Sequence, residues 1–357
     1  MIKCTVALSG LNATDDPAPG IAFARCLRES GEWEGRIIGL AYDASETGIY
    51  NGSIFDDVYL LPDPLQGSAL FNRIKGIQSK NHIDVFVPLL DYELVSLTAL
   101  EPYLKDIGVS MLIPTAAILR QHLKTRLADF CKRNGIKSPR QTAIVWPDSI
   151  GSTIAELGLP VVVKGVIHGS CVAHSAYEAA VYFHQIKQRW GLPIIMQEYI
   201  SGDEYNTDCL VDRDRKVIGA VSMKKLALTD KGKGWSGVTI YDKGLLDLSF
   251  EIVQKLRWVG PIELEFVKQS ISGNYYLLEI NPRFGTWIYI SSKAGQNLPL
   301  TAVRIALGER VEPFTSYDTG MMFMRYSLDL VCPISRLGEI ITSGELSFTE
   351  ENSKRTN

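Results

Sequence analysis

The first third of the chain alternates short apolar runs with stretches in which apolar residues recur at helical spacing. This alternation predicts a parallel β-sheet with helices on both faces. Asp43 and Asp91 follow predicted strands, at the edge where ligands of such sheets usually bind. As ordinary N-cap or loop acids they need no ligand. The predicted strands are 5–8, 36–41, 58–61, 83–89 and 109–113, and the predicted helices are 21–29, 68–80 and 92–107.

A different pattern follows this predicted sheet. A helix is predicted from Thr115, a favourable N-cap, to Asn134, because Gly135 is a typical C-cap residue. An apolar run then ends at Lys164, and a later one ends at Glu198. A lysine at the end of a buried strand packs its aliphatic stem and projects its ammonium group from the sheet edge, where it suits a phosphate.

Within residues 260–281, two apolar runs flank a turn rich in Ser, Gly and Asn, which is typical of a β-hairpin. Side chains alternate between the faces of a strand, so Glu263 and Glu265 point the same way, as do Glu279 and Asn281 on the partner strand. Carboxylates gathered on one face of an apolar hairpin repel one another unless a cation lies between them. Mg²⁺ is the natural candidate, because it is usually held by one or two carboxylates plus substrate phosphates.

A polar segment at 227–244, rich in Lys, Gly, Asp and Ser, precedes this hairpin. We predict that it is a mobile functional loop, because it lies between two strongly patterned regions. Of the lysines in and before it, we expect only Lys224 or Lys225 to enter a functional site.

Composition and charge narrow the class of protein. A chain of 357 residues suggests two or three domains, and 46% apolar with 22% charged residues is typical of a soluble globular protein. A net charge of −3 gives no basic field that would attract nucleic acid. The six cysteines show no metal-like spacing, and neither a signal sequence nor a long apolar stretch is evident. We therefore expect a cytoplasmic protein with no nucleic-acid partner and no membrane partner.

The motifs around the predicted hairpin resemble those of the ATP-grasp superfamily. The run EINPR at 279–283 looks like part of a metal-binding hairpin. Glu265 lies fourteen residues before Glu279, in a strand that reads Gly-Pro-x-x-x-Glu. The most similar branch includes carbamoyl-phosphate synthetase, biotin carboxylase and the amino-acid ligases. A second run, 197–204, reads Gln-Glu-Tyr-Ile-x-Gly-x-Glu and is similar to the nucleotide-binding segment of the superfamily.

The resemblance implies a fold class that combines α/β and α+β architecture. An N-terminal parallel-sheet domain, the pre-ATP-grasp domain, is followed by an ATP-grasp fold of two α+β subdomains. The implied boundaries are 1–115 for the N-terminal domain, 116–190 for the small subdomain with its linker helix, 191–330 for the C-terminal subdomain with the metal site, and 331–357 for a C-terminal tail.

The same resemblance assigns roles to individual residues. Glu263 stands where carbamoyl-phosphate synthetases have asparagine, which leaves open an extra metal contact or a contact to a substrate amine. The catalytic residues are Arg283 and Lys164, and Mg²⁺, with Mn²⁺ as an alternative, is held by Glu265, Glu279 and Asn281. The nucleotide contacts are Lys124, Lys164 and Ser170 at the phosphates, Glu198, Tyr199, Ile200 and Leu278 around the adenine, and Glu204 at the ribose.

The implied activity is that of an ADP-forming ligase that makes C–N bonds. Such an enzyme uses ATP to convert a small-molecule carboxylate into an acyl phosphate, joins it to an amine, and releases ADP and phosphate. Two alternatives stay open: a bicarbonate-activating enzyme of the carboxylase or carbamoyl-phosphate type, and a non-catalytic regulatory protein that binds ATP. The acid and the amine are not predicted, and a homodimer is left open.

Overall fold

The computed structural model describes residues 1–14, 17–119, 126–166, 169–229 and 232–348. In chain order, the N-terminal region contains β1 (Ile2–Lys3), β2 (Val6–Leu8), α1 (Gly20–Arg28), β3 (Trp33–Glu34), β4 (Ile37–Ala41), β5 (Asp57–Leu60), α2 (Gly67–Asn81), β6 (Val85–Val87) and α3 (Asp91–Asp106). Strands β6, β2, β4 and β5 pair in parallel in that order, which confirms the predicted parallel sheet. We call it the N-terminal sheet.

The predicted strand at 109–113 is wrong. In the described part of the chain, this stretch contributes only an isolated bridge between Ser110 and Val85. Its apolar residues Val109, Met111 and Leu112 are nevertheless buried. An apolar run indicates that the segment is buried, and a buried segment need not pair with a neighbour as a β-strand.

The middle of the chain forms a small antiparallel sheet with helices against it. Its elements are α4 (Ala116–Leu119), α5 (Leu127–Asn134), β7 (Gln141–Ile144), α6 (Ile150–Leu157), β8 (Val161–Gly165), β9 (Ser170–Ala173), α7 (Ala176–Trp190) and β10 (Ile194–Glu198). The strand order is β7, β10, β8, β9. Gly135 ends α5 with φ of 70°, the left-handed conformation expected of a C-cap glycine. We call this the small sheet.

The following residues form a larger antiparallel sheet, the large sheet, in the order β15, β14, β11, β12, β13, β16. Helix α8 covers one face, where Leu245 packs in one cluster with Leu264 and Phe266. Because side chains alternate along a strand, Glu263 and Glu265 lie on the opposite face. The elements are β11 (Gly202–Val211), β12 (Val217–Leu228), β13 (Gly234–Ile240), α8 (Lys243–Leu256), β14 (Gly260–Gln269), β15 (Tyr275–Asn281), α9 (Tyr289–Lys293), α10 (Leu298–Ala306) and β16 (Met322–Met324).

The prediction of a mobile loop at 227–244 is wrong for much of that segment, since β12 extends into it and β13 lies within it. A glycine in this segment lets neighbouring side chains pack closely against the strand backbone. A Cβ on Gly237 would lie 2.6 Å from the sulfur of Met223 and 2.8 Å from the ring of Phe323. Glycine in this strand therefore permits close packing, which composition alone does not distinguish from turn formation.

The end of the chain also differs from the expected tail. Residues after Cys332 form α11 (Ser335–Ser343) and β17 (Glu345–Ser347), and β17 pairs antiparallel with β5 at the edge of the N-terminal sheet. Arg73 fixes this return by donating to the backbone oxygen of Gly344 at 2.8 Å. Among the helices of the described residues, none is both long enough and apolar enough to span a bilayer.

A buried carboxyl group organises the N-terminal sheet. Glu93, in the first turn of α3, accepts hydrogen bonds from the amides of Leu89 (2.9 Å) and Leu90 (3.0 Å) and from the hydroxyl groups of Ser9 and Tyr42. Its side chain has no solvent exposure. Burial raises the pKa of Glu93 to about 7, although these hydrogen bonds act to lower it.

This pKa predicts a specific pH dependence of stability. Between pH 4.5 and about 7 the folded protein keeps a proton on Glu93 that the unfolded chain releases, so the free energy of unfolding falls as pH rises through this window. Glu93→Gln removes the titration. The stability of the variant relative to wild type should therefore improve by about 3 kcal/mol between pH 4.5 and 8, measured by urea denaturation. Asp106→Asn, at the exposed end of α3, is the control and should show no such change.

Candidate active site

The predicted metal-binding residues lie together on the face of the large sheet that is opposite α8. The register of β14 and β15 places Glu265 opposite Glu279 and Glu263 opposite Asn281. The amide nitrogen of Asn281 donates to Glu265 and to Glu263, both at 3.0 Å. The two bonds use the amide nitrogen and leave the carbonyl oxygen for another contact, so its role as a metal ligand stays a prediction.

This donor set fits Mg²⁺. The ion prefers oxygen ligands and is commonly held by one or two carboxylates together with substrate phosphates, so Glu265, Glu279 and Asn281 would supply the protein's share. No group of three or more His, Cys, Asp or Glu side chains suited to a metal occurs in the described ranges. A site of two carboxylates and one amide would need phosphate oxygens to complete the coordination of Mg²⁺.

Glu263 is the centre of the hydrogen-bond network rather than an open ligand. Its side chain is 5% exposed. One oxygen accepts from Asn206 at 2.6 Å and from the indole of Trp287 at 2.7 Å, and the other accepts from Asn281 at 3.0 Å and Arg283 at 2.9 Å. These donors use the lone pairs of the carboxylate, so its role is to orient the neighbouring side chains.

Arg283 connects this network to the N-terminal sheet. Its guanidinium lies between Glu263, at 2.9 Å, and Asp91 at the start of α3, at 3.1 Å. Burial alone would lower the pKa of Arg283, but the carboxylates of Asp91 and Glu263 outweigh burial and raise it. Arg283 therefore stays protonated, and Asp91 belongs to the site as its ion-pair partner.

Lys225 enters the site, and Lys224 does not. The ammonium group of Lys225 donates to Glu204 at 2.8 Å and to Glu265 at 2.9 Å, and its side chain is 5% exposed. Lys224 points to the other face and pairs with the exposed Asp203. Burial acts to lower the pKa of Lys225, but Glu265 and Glu204 raise it well above its usual value.

Two buried polar residues of β11 belong to the same face, although sequence reasoning missed them. Asn206 lies opposite Glu265 and Asp208 lies opposite Glu263. Asp208 accepts from the amide of Gly285 at 2.8 Å. Burial, and then the charge of Glu263, raise the pKa of Asp208 well above its usual range, which favours the neutral carboxyl. The sequence signal that could have identified them is their position two residues apart in a largely apolar strand, which places both on one face of β11.

Arg325, just after β16, is a further cation that the sequence did not single out. It donates to the backbone oxygen of Gly234 at 3.0 Å and to the oxygens of Thr286 at 3.0 and 2.8 Å. It forms no ion pair with any described residue. Burial lowers its pKa, and the charge of Glu263 partly offsets this. A half-buried guanidinium without an ion-pair partner among the described residues is suited to an anion.

The predicted phosphate contacts lie mainly on the small sheet. Lys164 of β8 is buried, pairs in register with Ser170 of β9, and donates to Gln197 of β10 at 3.2 Å. Ser170 is exposed at the start of β9. Lys124 lies outside the described residues. Contact of Lys164, Ser170 and Lys124 with phosphate stays a prediction.

The predicted adenine contacts lie where β10 of the small sheet leads into β11 of the large sheet. Among the described residues, no hydrogen bond uses the backbone groups of Tyr199 or Ile200, so this segment can pair with the edge of a base. The side chain of Glu198 is engaged elsewhere, because both its oxygens accept from Arg140. Burial acts to raise the pKa of Glu198, but these bonds to Arg140 lower it. Leu278 lies at the register shift between β14 and β15, where it has no paired residue.

Comparison with known proteins connects these elements to a family. Residues 192–325, from just before β10 to just after β16, match the family described as "ATP-grasp in the biosynthetic pathway with Ter operon". The chain contains an ATP-grasp domain. The match includes every predicted metal-binding residue and ends at Arg325.

Curated relatives cover part of the chain. The large chain of carbamoyl phosphate synthase from Clostridium perfringens is 26% identical over 209 residues, which is 54% of this chain and 19% of the relative. The chain therefore spans about a fifth of the length of that relative.

Solved structures extend the structural similarity to most of the chain. Biotin carboxylase from Campylobacter jejuni has a TM-score of 0.67 at 13% identity, covering 88% of this chain and 73% of its own. The biotin carboxylase domain of 2-oxoglutarate carboxylase from Hydrogenobacter thermophilus has a TM-score of 0.63 at 16% identity, covering 86% of this chain and 70% of its own. At these identities the similarity establishes the fold, a mixed α/β architecture with a parallel N-terminal sheet and antiparallel sheets.

Proposed function

We propose that this protein is an ATP-dependent ligase that activates a small-molecule carboxylate as an acyl phosphate and joins it to an amine. The observation that carries the proposal is the register of β14 and β15, which gathers Glu265, Glu279 and Asn281 beside the buried cation Arg283. ATP would lie between the large and small sheets, with its adenine at Tyr199 and Ile200. The biotin carboxylase domain from H. thermophilus, which shares the fold, is described in complex with MgADP and bicarbonate.

The reaction requires cations because two anions must meet. A carboxylate oxygen of the substrate attacks the γ-phosphorus of ATP, the bond to the β,γ-bridging oxygen breaks, and ADP leaves. The unprotonated amine then attacks the acyl carbon, phosphate leaves, and the amine loses a proton to solvent. Bound Mg²⁺ would neutralise charge on the β- and γ-phosphates.

The chain's own residues would then position the substrates. Arg283 is held rigidly by Glu263 and Asp91, so it can stabilise the transferring phosphoryl group without reorganising. Arg325 has no carboxylate partner among the described residues, and we assign it to the carboxylate of the substrate. Lys164 would contact the phosphates from the small sheet.

A second function, bicarbonate activation through carboxyphosphate, is favoured by a different observation. The curated relative is a carbamoyl phosphate synthase, and both structural neighbours are described as biotin carboxylases. The polar face would serve bicarbonate as well as a larger carboxylate, because both present an anionic oxygen to the phosphorus.

One experiment separates these functions. The protein is incubated with Mg²⁺-ATP and pooled carboxylic and amino acids, phosphate release is measured, and products are sought by mass at the sum of two substrates minus water. Products of that mass support the ligase. Phosphate release with bicarbonate alone supports the second function, and no release with any pool supports an ATP-binding protein without catalysis.

A further inference from the structure

An open cavity of about 660 Å³ lies at the edge of the large sheet. Its volume is within the range of small-molecule sites, which is roughly 300 to 1,000 Å³. It is bounded by α8, by the first residues of β12 and by residues 314–319, which form neither helix nor strand and which we call the covering segment. None of the predicted site residues that the structure describes borders this cavity.

The covering segment is attached to β12 at two points and leaves a gap between them. The amide of Phe314 donates to the backbone oxygen of Ile218 at 2.7 Å. The amide of Ser222 donates to the hydroxyl oxygen of Tyr317 at 3.2 Å. Ala220 lies midway between these two attachments along β12 and borders the cavity. The covering segment is therefore held at both ends beside an uncovered part of the strand.

The backbone groups of Ala220 face this gap. In an antiparallel strand, the amide and carbonyl groups of every second residue point to the same side, and the pairing of β12 with β11 is regular from Gly219 to Ser222. The backbone of Ala220 therefore points the same way as the amide of Ser222, towards the covering segment. Strand β13 does not reach it, because its last residue, Ile240, lies opposite Ser222. The cavity thus presents a hydrogen-bond donor and an acceptor side by side.

A buried acceptor without a partner borders the same cavity. Gln296 is 3% exposed, and its Nε2 donates to the backbone oxygen of Ser316 in the covering segment at 3.0 Å. Its Oε1 is buried and accepts no hydrogen bond from any described residue. This oxygen lies beside Gly219, where a Cβ would be 2.7 Å from it, and Gly219 adjoins Ala220. Buried polar atoms without partners are rare and cost free energy, which a hydrogen-bonding ligand would recover.

The other side chains around the cavity are aromatic or cationic. Phe250 of α8 and the ring of the covering segment's first residue line it. Its charged residues are three cations and one carboxylate, and the carboxylate of Asp247 is paired with Lys243 at 2.6 Å. The exposed side chains of Arg215 and Lys216 form no ion pair with any described residue. The border of the cavity is therefore suited to an anionic group.

We propose that this cavity binds a small aromatic carboxamide that carries an anionic group. A carboxamide presents a donor and an acceptor on one edge, so it can pair with both backbone groups of Ala220 as a neighbouring strand would. Its second N–H would be donated to Oε1 of Gln296. The ring would pack against the aromatic side chains, and the anionic group would lie near Arg215 and Lys216. This site is additional to the proposed ATP site and does not depend on it.

The probe for this site is 4-carbamoylbenzoate, and its binding to the full chain is measured by saturation-transfer NMR titration. A dissociation constant on the order of 1 mM is expected for a molecule of this size. Benzoate should bind about 10-fold more weakly, because the hydrogen bonds to Ala220 and Gln296 are lost. Benzamide should bind about 3-fold more weakly, because it lacks the anionic group and exposed charges contribute little.

Two variants connect the binding to the named residues. Gln296→Met removes the buried acceptor and should weaken 4-carbamoylbenzoate about 10-fold. Lys216→Glu reverses an exposed charge at the border, so it should weaken 4-carbamoylbenzoate but leave benzamide unchanged. It also serves as the test if Gln296→Met does not fold, since Gln296 holds the covering segment. Lys255→Glu reverses an exposed charge on α8 outside the cavity and should bind both probes like wild type.

A second measurement separates this site from the nucleotide site. Saturating Mg²⁺-ADP should leave the binding of 4-carbamoylbenzoate unchanged. The cavity is not a carboxamide site if the probe fails to bind at roughly 10 mM, if benzoate binds as tightly, or if Lys216→Glu binds the probe like wild type. Displacement of the probe by Mg²⁺-ADP would also overturn the proposal. Failure of Mg²⁺-ADP itself to bind would refute the proposed function and leave the carboxamide site standing.

Discussion

Replacing Glu279 with glutamine should reduce Mg²⁺-dependent phosphate release by at least about 100-fold, because one charged ligand of the metal is lost while the shape of the side chain is kept. Glu279 lies directly opposite Glu265, so the change leaves the strand pairing intact. Phosphate release is measured across a Mg²⁺ titration with the substrate pool. The concentration of Mg²⁺ needed for half-maximal rate should rise, and ADP binding without metal should be unchanged.

The control for this prediction is Glu251→Gln on α8, which also neutralises a glutamate but lies on the helix that covers the opposite face. It should keep the wild-type rate and Mg²⁺ requirement. A wild-type Mg²⁺ titration for Glu279→Gln would remove Glu279 from the metal site, and the proposed function would then rest on Glu265 and Asn281 alone.

Replacing Glu263 with leucine should lower the free energy of unfolding by about 3 to 5 kcal/mol, because it removes the buried partner of Arg283 and leaves buried donors without an acceptor. Asn206, Trp287 and Asn281 all donate to this carboxylate. The change is measured by urea denaturation of wild type and variant at one pH.

Glu265→Leu is the comparison that separates a stabilising role from metal binding. Its side chain is partly exposed, and it accepts from Asn281 and Lys225 but not from Arg283. We expect the loss of stability to be smaller than for Glu263→Leu. If Glu263→Leu were as stable as wild type, Glu263 would not be the organising carboxylate of the network.

Most of the fold follows from the hydrophobic pattern, because the alternation of strands and helices fixes the N-terminal sheet and the period of two fixes the hairpin. Two errors came from local signals that have more than one cause. The apolar run at 109–113 is buried without being a strand, and the glycines near Gly237 allow packing instead of a loop. In both cases the tertiary neighbours decided the conformation.

The same distinction holds for the candidate site, where the sequence pattern predicted some features and the tertiary structure decided others. The hairpin motif placed Glu265, Glu279 and Asn281 on one face, and the register agrees, while their roles stay predictions. The sequence could not choose between Lys224 and Lys225, because adjacent residues of a strand point to opposite faces and only the sheet's orientation decides which face is the site. Arg140, which holds Glu198, lies 58 residues away from it along the chain.

The amino-acid sequence by itself determined the alternation of strands and helices in the N-terminal sheet and the residues of the hairpin that share a face, because both depend on interactions between near neighbours along the chain. Tertiary structure alone decided that Asp91 meets Arg283, that Arg325 lies near Glu263, and that the last strand returns to the N-terminal sheet. These contacts join segments distant in sequence, and their formation depends on burial and charge compensation, which no local pattern records.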